Sequence, residues 1–520
     1  MRRAWWLPLL TAGWLLLLAP AAGAAESSGV DKAINDALGP FAEWAATVVF
    51  WGPTIGETQL PLVVILLVGG AIFFSVYNQF INLRGFRHSI DVTRGAYDDP
   101  DDPGETTHFQ ALMTALSATV GLGNIAGVAV AVSLGGPGAT FWMVVAAFFG
   151  MCTKFVECSL GVKYRNEYED GHVSGGPMYY IDRLSDKFSW MPDGVSKAFA
   201  AFFALATIAG GLGAANMFQT NQAYAQFLEI VGDDGFWGNN AWVFGLIFAT
   251  IIGIVIIGGI RSIARVTEKL VPVMAGIYLI AALVIVLVNI TELPAAFLAI
   301  FRDAFTGEAA TGGFIGAFVV GIQRSAFSNE AGLGSAAIAH SSAKTDLHIR
   351  EGFVAQLGPF IDTVIICTST ALIIVITGVY EGTGGDVEGV SLTSEAFAQR
   401  IPWFPVVLAI AVIMFAFSTM ISWSYYGVKA ANYLFGESQF VVRTFQIVFL
   451  LFVVMGAALA LENVVPLMDA LIFLMPIANI LALILYTPEI REDLREYWNA
   501  YQSGEMKTYA EEQAEAGTGV

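Results

Sequence analysis

The feature that leaves this chain the fewest options is a succession of apolar stretches long enough to cross a bilayer. Eleven follow one another: Leu60–Phe80, Phe109–Leu134, Phe141–Lys163, Ala198–Ile230, Trp242–Ile260, Leu270–Asn289, Phe314–Ala339, Phe353–Gly378, Phe404–Ala431, Phe445–Leu459 and Val465–Tyr486. About 20 predominantly apolar residues span the hydrocarbon. Within it a backbone must satisfy its own polar groups, so each stretch reads as a helix. The chain is 56% hydrophobic and 13% charged, where a soluble domain carries about 25% charged residues. An all-α polytopic membrane protein is expected. The net charge of −19 argues against nucleic acid as a partner, since no basic patch is on offer.

Before the first span, "MRRAWWLPLLTAGWLLLLAPAAGAAES" has the layout of a signal peptide over residues 1–24. Arg2 and Arg3 form its charged start, Trp5 to Leu18 its apolar region and Ala22-Gly23-Ala24 its cleavage site. An uncleaved first helix is the competing reading. Either way Glu26 begins outside the cytoplasm, and residues 25–57 form an extracytoplasmic segment whose amphipathic part, Asp31–Phe50, would lie along the outer interface. The connections that then face the cytoplasm hold most of the Lys and Arg, among them Arg84, Arg87, Arg165, Arg261, Lys344 and Arg443. The opposite connections hold Lys32, Arg302 and Arg400. That asymmetry follows the positive-inside rule. It points to a multi-pass protein of a bacterial cytoplasmic membrane, with the mature N-terminus outside and the C-terminus inside.

A leading helix and its loop (58–107) precede ten spans that divide into two sets of five, 108–290 and 311–487. An extracytoplasmic connection, 291–310, joins them, and an acidic cytoplasmic tail, 488–520, follows. An odd number of spans per half makes the second half enter from the opposite side, as inverted repeats require. The first helix of each half is rich in glycine: "SATVGLGNIAGVAVAVSLGGPG" in one and "GAFVVGIQRSAFSNEAGLGSA" in the other. Glycine weakens a helix interior by roughly 1 kcal/mol relative to alanine. Paired interruptions at corresponding positions point to the central site of a transporter.

Unwinding at Gly121 and Gly123 would free carbonyls before the break and N–H groups after it. In hydrocarbon such orphans persist only where protein, water or a ligand satisfies them. N–H groups at a new helix N-terminus suit a carboxylate, and carbonyls with nearby hydroxyls suit a small hard cation. Asn124 and Thr119 add polar groups at membrane depth, whereas Gly127, Gly135 and Gly136 read as packing or turn residues. In "MFAFSTMISWSYYGVKAANY", Ser418, Thr419 and Ser422 cluster, with Trp423 on the Thr419 face. In "GGLGAANMFQTNQAYAQ", Asn216 and Gln219 fall on neighbouring faces, as pocket residues or as glue between helices. Arg324 and Glu330 fall within the second interrupted helix, where gating, structural pairing and ligand contact are all open.

"ALSATVGLGNIAGVAVAVSLGGPGATFW", "GMCTKFVECSLGVKYR", "GGPMYYI" and "SNEAGLGSAAIAHSSAKT" closely resemble the alanine/glycine:cation symporter family, over about Gln79 to Tyr486. The resemblance implies a LeuT-type fold of two inverted five-helix repeats, here with one leading helix. It further implies uptake of small amino acids driven by sodium, in some members by protons. Carried over by position, the N–H groups of Leu122 and Gly123, with Thr119 and Gly121 beside them, would receive the substrate carboxylate. Asn216, Gln219, Phe318, Ile322, Thr419 and Trp423 would surround the rest of it. Carbonyls of Ser117 and Val120, a backbone oxygen near Phe415 and the hydroxyls of Ser418 and Thr419 would hold sodium. Asn124 matches a residue of a second sodium site in other LeuT-like families. The bulk of Phe318 and Trp423 favours alanine or glycine over larger side chains. No cofactor is expected beyond the cotransported ion.

Two other classes are weaker. A channel could use the same carbonyls as a filter, but a break opening on N–H groups better suits a molecule with a carboxylate. An enzyme needs a nucleophile with a positioned base or a metal cluster. His88, His108, His172, His340 and His348 are scattered, and Cys152, Cys158 and Cys367 lack metal-ligand spacing.

Overall fold

Helices carry most of the described residues, which in the computed structural model are 40 and 43–517, apart from 56–57, 170, 234, 307–312, 383–388 and 460. The expected signal sequence over 1–24 and most of the amphipathic stretch 31–50 lie outside them. The leading helix α1, Leu62–Tyr77, packs on the later helices α4 and α14, with Gly70 letting it approach Ile480. The first half then opens with α2, His108–Thr119. Thr107 caps it reciprocally, its side chain taking the Gln110 N–H while Gln110 takes the Thr107 N–H, both at 3.2 Å. The same path continues as α3, Ala126–Gly135. The half is completed by α4 (Gly138–Lys163), α5 (Asp193–Val231), α6 (Ala241–Ile256) and α7 (Gly259–Val288).

The connection expected over 291–310 is itself helical, as α8, Leu293–Thr306. Its Asp303 accepts the Gly138 N–H at 2.7 Å and so caps α4. The second half starts with α9 (Gly313–Asn329) and α10 (Ser335–His340), followed by α11 (His348–Thr377), α12 (Phe404–Phe435), α13 (Gln439–Ala458) and α14 (Val464–Ser503). Among the described residues seven helices are long and apolar enough to cross a membrane, or eight with the bent pair α2/α3 taken as one span. The remaining expected spans fall on the shorter α1 and α6 and on the interrupted α9/α10.

Packing sorts these helices into two groups. α4 runs along α9 and α11, while α5 runs along α12 and α6 along α13. The broken α2/α3 touches members of both, with α2 against α12 and α3 against α9. Small residues set the close approaches, as they do where lipid offers no hydrophobic drive: Gly161 faces Ala337, and Gly456 faces Met217. α14 does not stop near Tyr486, where hydropathy falls. It continues to Ser503, and its Glu489 and Asp493 pair with Lys163 at 2.6 and 2.5 Å. Further along, Tyr497 and Trp498 are buried against His88 and Phe353.

Candidate functional site

The first core helix is broken where its glycines fall. α2 ends at Thr119, Val120 and Gly121 are non-helical, and a single tight turn, Leu122–Asn124, leads into α3 at a bend of 58°. Gly121 is extended with a negative φ of −131°, so its backbone does not demand glycine. Space does. A Cβ there would lie 2.2 Å from Thr419 Oγ1 and 3.3 Å from Gln219 Oε1.

After the break, the Gly121 N–H donates to Asn124 Oδ1 at 2.9 Å and the Leu122 N–H to Gln219 Oε1 at 3.1 Å. Thr370 Oγ1 serves the Asn124 carbonyl at 2.8 Å. Before the break, the Ser117 carbonyl accepts from Thr419 Oγ1 at 3.2 Å and from Ser418 Oγ at 3.4 Å. Ser418 Oγ also reaches the Phe415 carbonyl at 2.9 Å, and Ser117 Oγ donates to the Ser418 carbonyl at 2.6 Å. Oxygens of Ser117, Phe415, Ser418 and Thr419 therefore gather between α2 and α12. Such a set of carbonyls and hydroxyls suits a hard cation. Val120 is buried at the end of α2, its N–H bound to the Leu116 carbonyl at 2.6 Å.

Other expected site residues are distributed unevenly. Gln219 comes to the break because a π-helical turn, Gly213–Met217, precedes it in α5. Asn216, inside that turn, is not at the break: its Nδ2 donates to the Phe449 carbonyl at 2.7 Å and ties α5 to α13. Thr119 bonds back to the Leu116 carbonyl at 3.3 Å. Gly123 faces Phe327, whose ring would stand 3.2 Å from a Cβ there. Phe318 and Ile322 lie on another side of α9. They line a cavity of about 280 Å³ against Leu67, Ala71 and Trp142, between α1, α4 and α9. At roughly 100° per residue, they sit about 180° and 140° around α9 from Phe327. The α9 ring that faces Gly123 is therefore that of Phe327.

Trp423 reaches the second interruption, its Nε1 donating to Glu330 Oε1 at 2.9 Å. Between α9 and α10, Glu330 adopts φ +58°, and Gly332 and Gly334 follow at +92° and +85°. Glycine is required at the last two, since a Cβ would also meet Leu67 and Pro177 at 2.5 and 2.6 Å. Side chains satisfy this break as well. Asn479 Nδ2 donates to the Gly332 carbonyl at 2.9 Å, and Ser335 bonds the Glu330 carboxylate. Arg324 does not pair with Glu330; it pairs with Asp469 on α14 and lies over the Phe327 ring.

Several buried ionisable residues escape the sequence reading, among them Asp362, Lys154, Glu157 and Asp469. Asp362, in a second π-helical turn (Phe360–Cys367), accepts from Asn124 Nδ2 at 2.6 Å and from Ser328 and Thr363 hydroxyls at 2.8 Å each. Lys154 and Glu157 lie on α4, where Glu157 accepts from Asn479 at 2.8 Å. The signal was present in each case: a charge inside an apolar stretch is a functional candidate by default.

Comparison with known proteins agrees with this architecture. The profile of the sodium:alanine symporter family matches residues 46–511. A sodium/alanine symporter, AgcS, of Methanococcus maripaludis is 38% identical over 450 residues, covering 86% of this chain and 96% of that one. A probable sodium/glutamine symporter, GlnT, of Bacillus subtilis is 33% identical, covering 85% and 89%. The crystal structure of MhsT in complex with L-phenylalanine superposes with a TM-score of 0.54 at 15% identity, covering 74% of this chain and 89% of that one. At that identity the likeness speaks for the fold alone, which is of the LeuT type.

Proposed function

The chain belongs to the sodium:alanine symporter family, and we propose that it takes up alanine or another small neutral amino acid together with sodium. The observation that carries this reading is the pairing of an oxygen cluster with a main-chain N–H at one break. Oxygens of Ser117, Phe415, Ser418 and Thr419 gather on one side, and the Leu122 N–H, paired with Gln219 Oε1, lies on the other. Sodium on the oxygens would hold α2 to α12 and fix the N–H groups of Leu122 and Gly123 for a carboxylate, so each ligand raises the affinity of the other. Movement of one helix group against the other would then expose the shared site to the cytoplasm. Operation in a bacterial cytoplasmic membrane, with the N-terminus outside, is part of the proposal.

A second reading has a proton replace or accompany sodium. It draws on Asp362, a carboxylate buried beside the break and bonded by Asn124, Ser328 and Thr363. Both readings are tested by radiolabelled alanine uptake into proteoliposomes with sodium and proton gradients imposed separately and glycine and glutamine as competitors. Accumulation on a sodium gradient alone is expected. Accumulation on a proton gradient alone would transfer the coupling role to the second reading, and no accumulation on either would refute both.

A further inference from the structure

The Leu122 N–H, the donor a substrate carboxylate would need, is already taken by the carboxamide oxygen of Gln219 at 3.1 Å. Gln219 is 3% exposed, and the space around it is closed. A single added carbon on Gly121 would meet both Gln219 Oε1 and Thr419 Oγ1, so a carboxylate enters only if the carboxamide leaves. The side chain is lightly tethered otherwise, since its Nε2 reaches the Ala214 carbonyl only at 3.4 Å. An amide oxygen also yields readily to a charged competitor, because hydrogen bonds to an ionised acceptor are roughly twice as strong.

We propose that Gln219 is a built-in stand-in for the substrate carboxylate, latching the empty carrier shut until an amino acid displaces it. The inference rests on the reading that Leu122 serves the substrate. Gln219 belongs to α5, packed with α12, whereas the break continues into α3, packed with α9. The bond therefore crosses between the two helix groups that must move for transport. While it stands, sodium alone does not release them. Once a carboxylate takes the N–H, the bridge is replaced by a ligand that travels with the site.

The test is amino-acid-free flux of radioactive sodium in proteoliposomes holding the full chain, read beside alanine uptake. Gln219→Ala is expected to raise this leak by about 2- to 10-fold, the factor that one hydrogen bond represents. Gln219→Asn keeps the amide but is one methylene short, and should leak likewise. Gln219→Glu tethers a carboxylate at the same place and should hold the leak at or below the wild-type level while abolishing alanine uptake. If Ala and Asn variants leave the leak unchanged and only raise the KM for alanine, Gln219 is a plain substrate ligand and the latch is refuted. Where the Ala variant fails to insert, the Asn and Glu variants decide. Wild-type uptake in the same vesicles separates the two ideas: absent sodium-driven alanine uptake sinks the underlying reading, whereas normal uptake with an unchanged leak sinks the latch alone.

Discussion

Adding one methyl group at Gly121 probes the proposed ion site without altering an ion ligand. The extended backbone there (φ −131°, ψ −154°) accepts alanine, so the effect is steric. The new Cβ would stand 2.2 Å from Thr419 Oγ1, where ordinary contact begins at 3.4 Å. The oxygen must retreat by roughly 1.2 Å, the difference between those distances. A β-branched side chain makes such a move by leaving its χ1 well, which breaks the 3.2 Å bond to the Ser117 carbonyl. Gln219 Oε1, at 3.3 Å, needs to yield only slightly. The lost bond costs about 1 kcal/mol and crowding adds about 1–3 kcal/mol. If about 1–2 kcal/mol of this falls on sodium binding, half-activation of uptake should need about 5–30 times more sodium. Initial rates of alanine uptake against sodium concentration in proteoliposomes measure it. Thr419→Ala removes the same oxygen and should fall in the same range. The double variant should then lie close to Thr419→Ala alone, because the 2.2 Å clash is gone and only the 3.3 Å contacts with Gln219 Oε1 and the Cβ of residue 419 remain. Full additivity of the two effects would refute the reasoning, since the methyl group would be acting elsewhere.

Two further outcomes are expected. His88, on a helix (Phe86–Thr93) outside the expected spans, is held neutral by burial and secondarily by Arg350, its pKa lowered from 6.5 to about 4. The folded protein thus binds fewer protons there than the unfolded chain, so stability present above pH 6.5 is lost as pH falls towards 4, by about 3 kcal/mol. Thermal unfolding in detergent across that range should show a slope that His88→Gln flattens, and an equal slope in the variant would exclude His88 as its source. Asp469→Ala strands the buried Arg324 guanidinium and should destabilise by about 3–5 kcal/mol, whereas Arg324→Met with Asp469→Leu should recover most of the loss. Unfolding midpoints of the single and double variants check this, and an equally unstable double variant would show that the pair's charge is not the cause.

Both interruptions were legible because glycine clusters are anomalous in stretches that otherwise favour unbroken helix. Gly121 and Gly332 mark them without any knowledge of neighbours. The gathering of Ser117, Ser418 and Thr419 was foreseen from a family resemblance; spacing alone could not join residues some 300 positions apart. Facing directions were less accessible. Phe318 and Ile322 lie on α9, and which side of α9 meets the break depends on its rotation, which packing decides. Asp362 is a single charge in an apolar stretch, and a hydrophobic average over that stretch hides it. The course of α14 beyond Tyr486 was missed for a related reason. Hydropathy marks where lipid ends, whereas this helix continues through a polar layer on the strength of Glu489, Asp493, Tyr497 and Trp498.

The wide turn at Gly213–Met217 has a bearing on how residues are matched between relatives. A π-helical turn accommodates an inserted residue without ending the helix, and one residue corresponds to about 100° of rotation. Everything after Met217 is therefore out of phase with a wheel drawn from Asp193, and Gln219 faces Leu122 only because of that offset. A homologous α5 lacking the extra residue would align with this one by a gap of one and keep its pocket side chain at a shifted register. Position-by-position transfer across the turn, made without the gap, would assign the contact to the wrong neighbour.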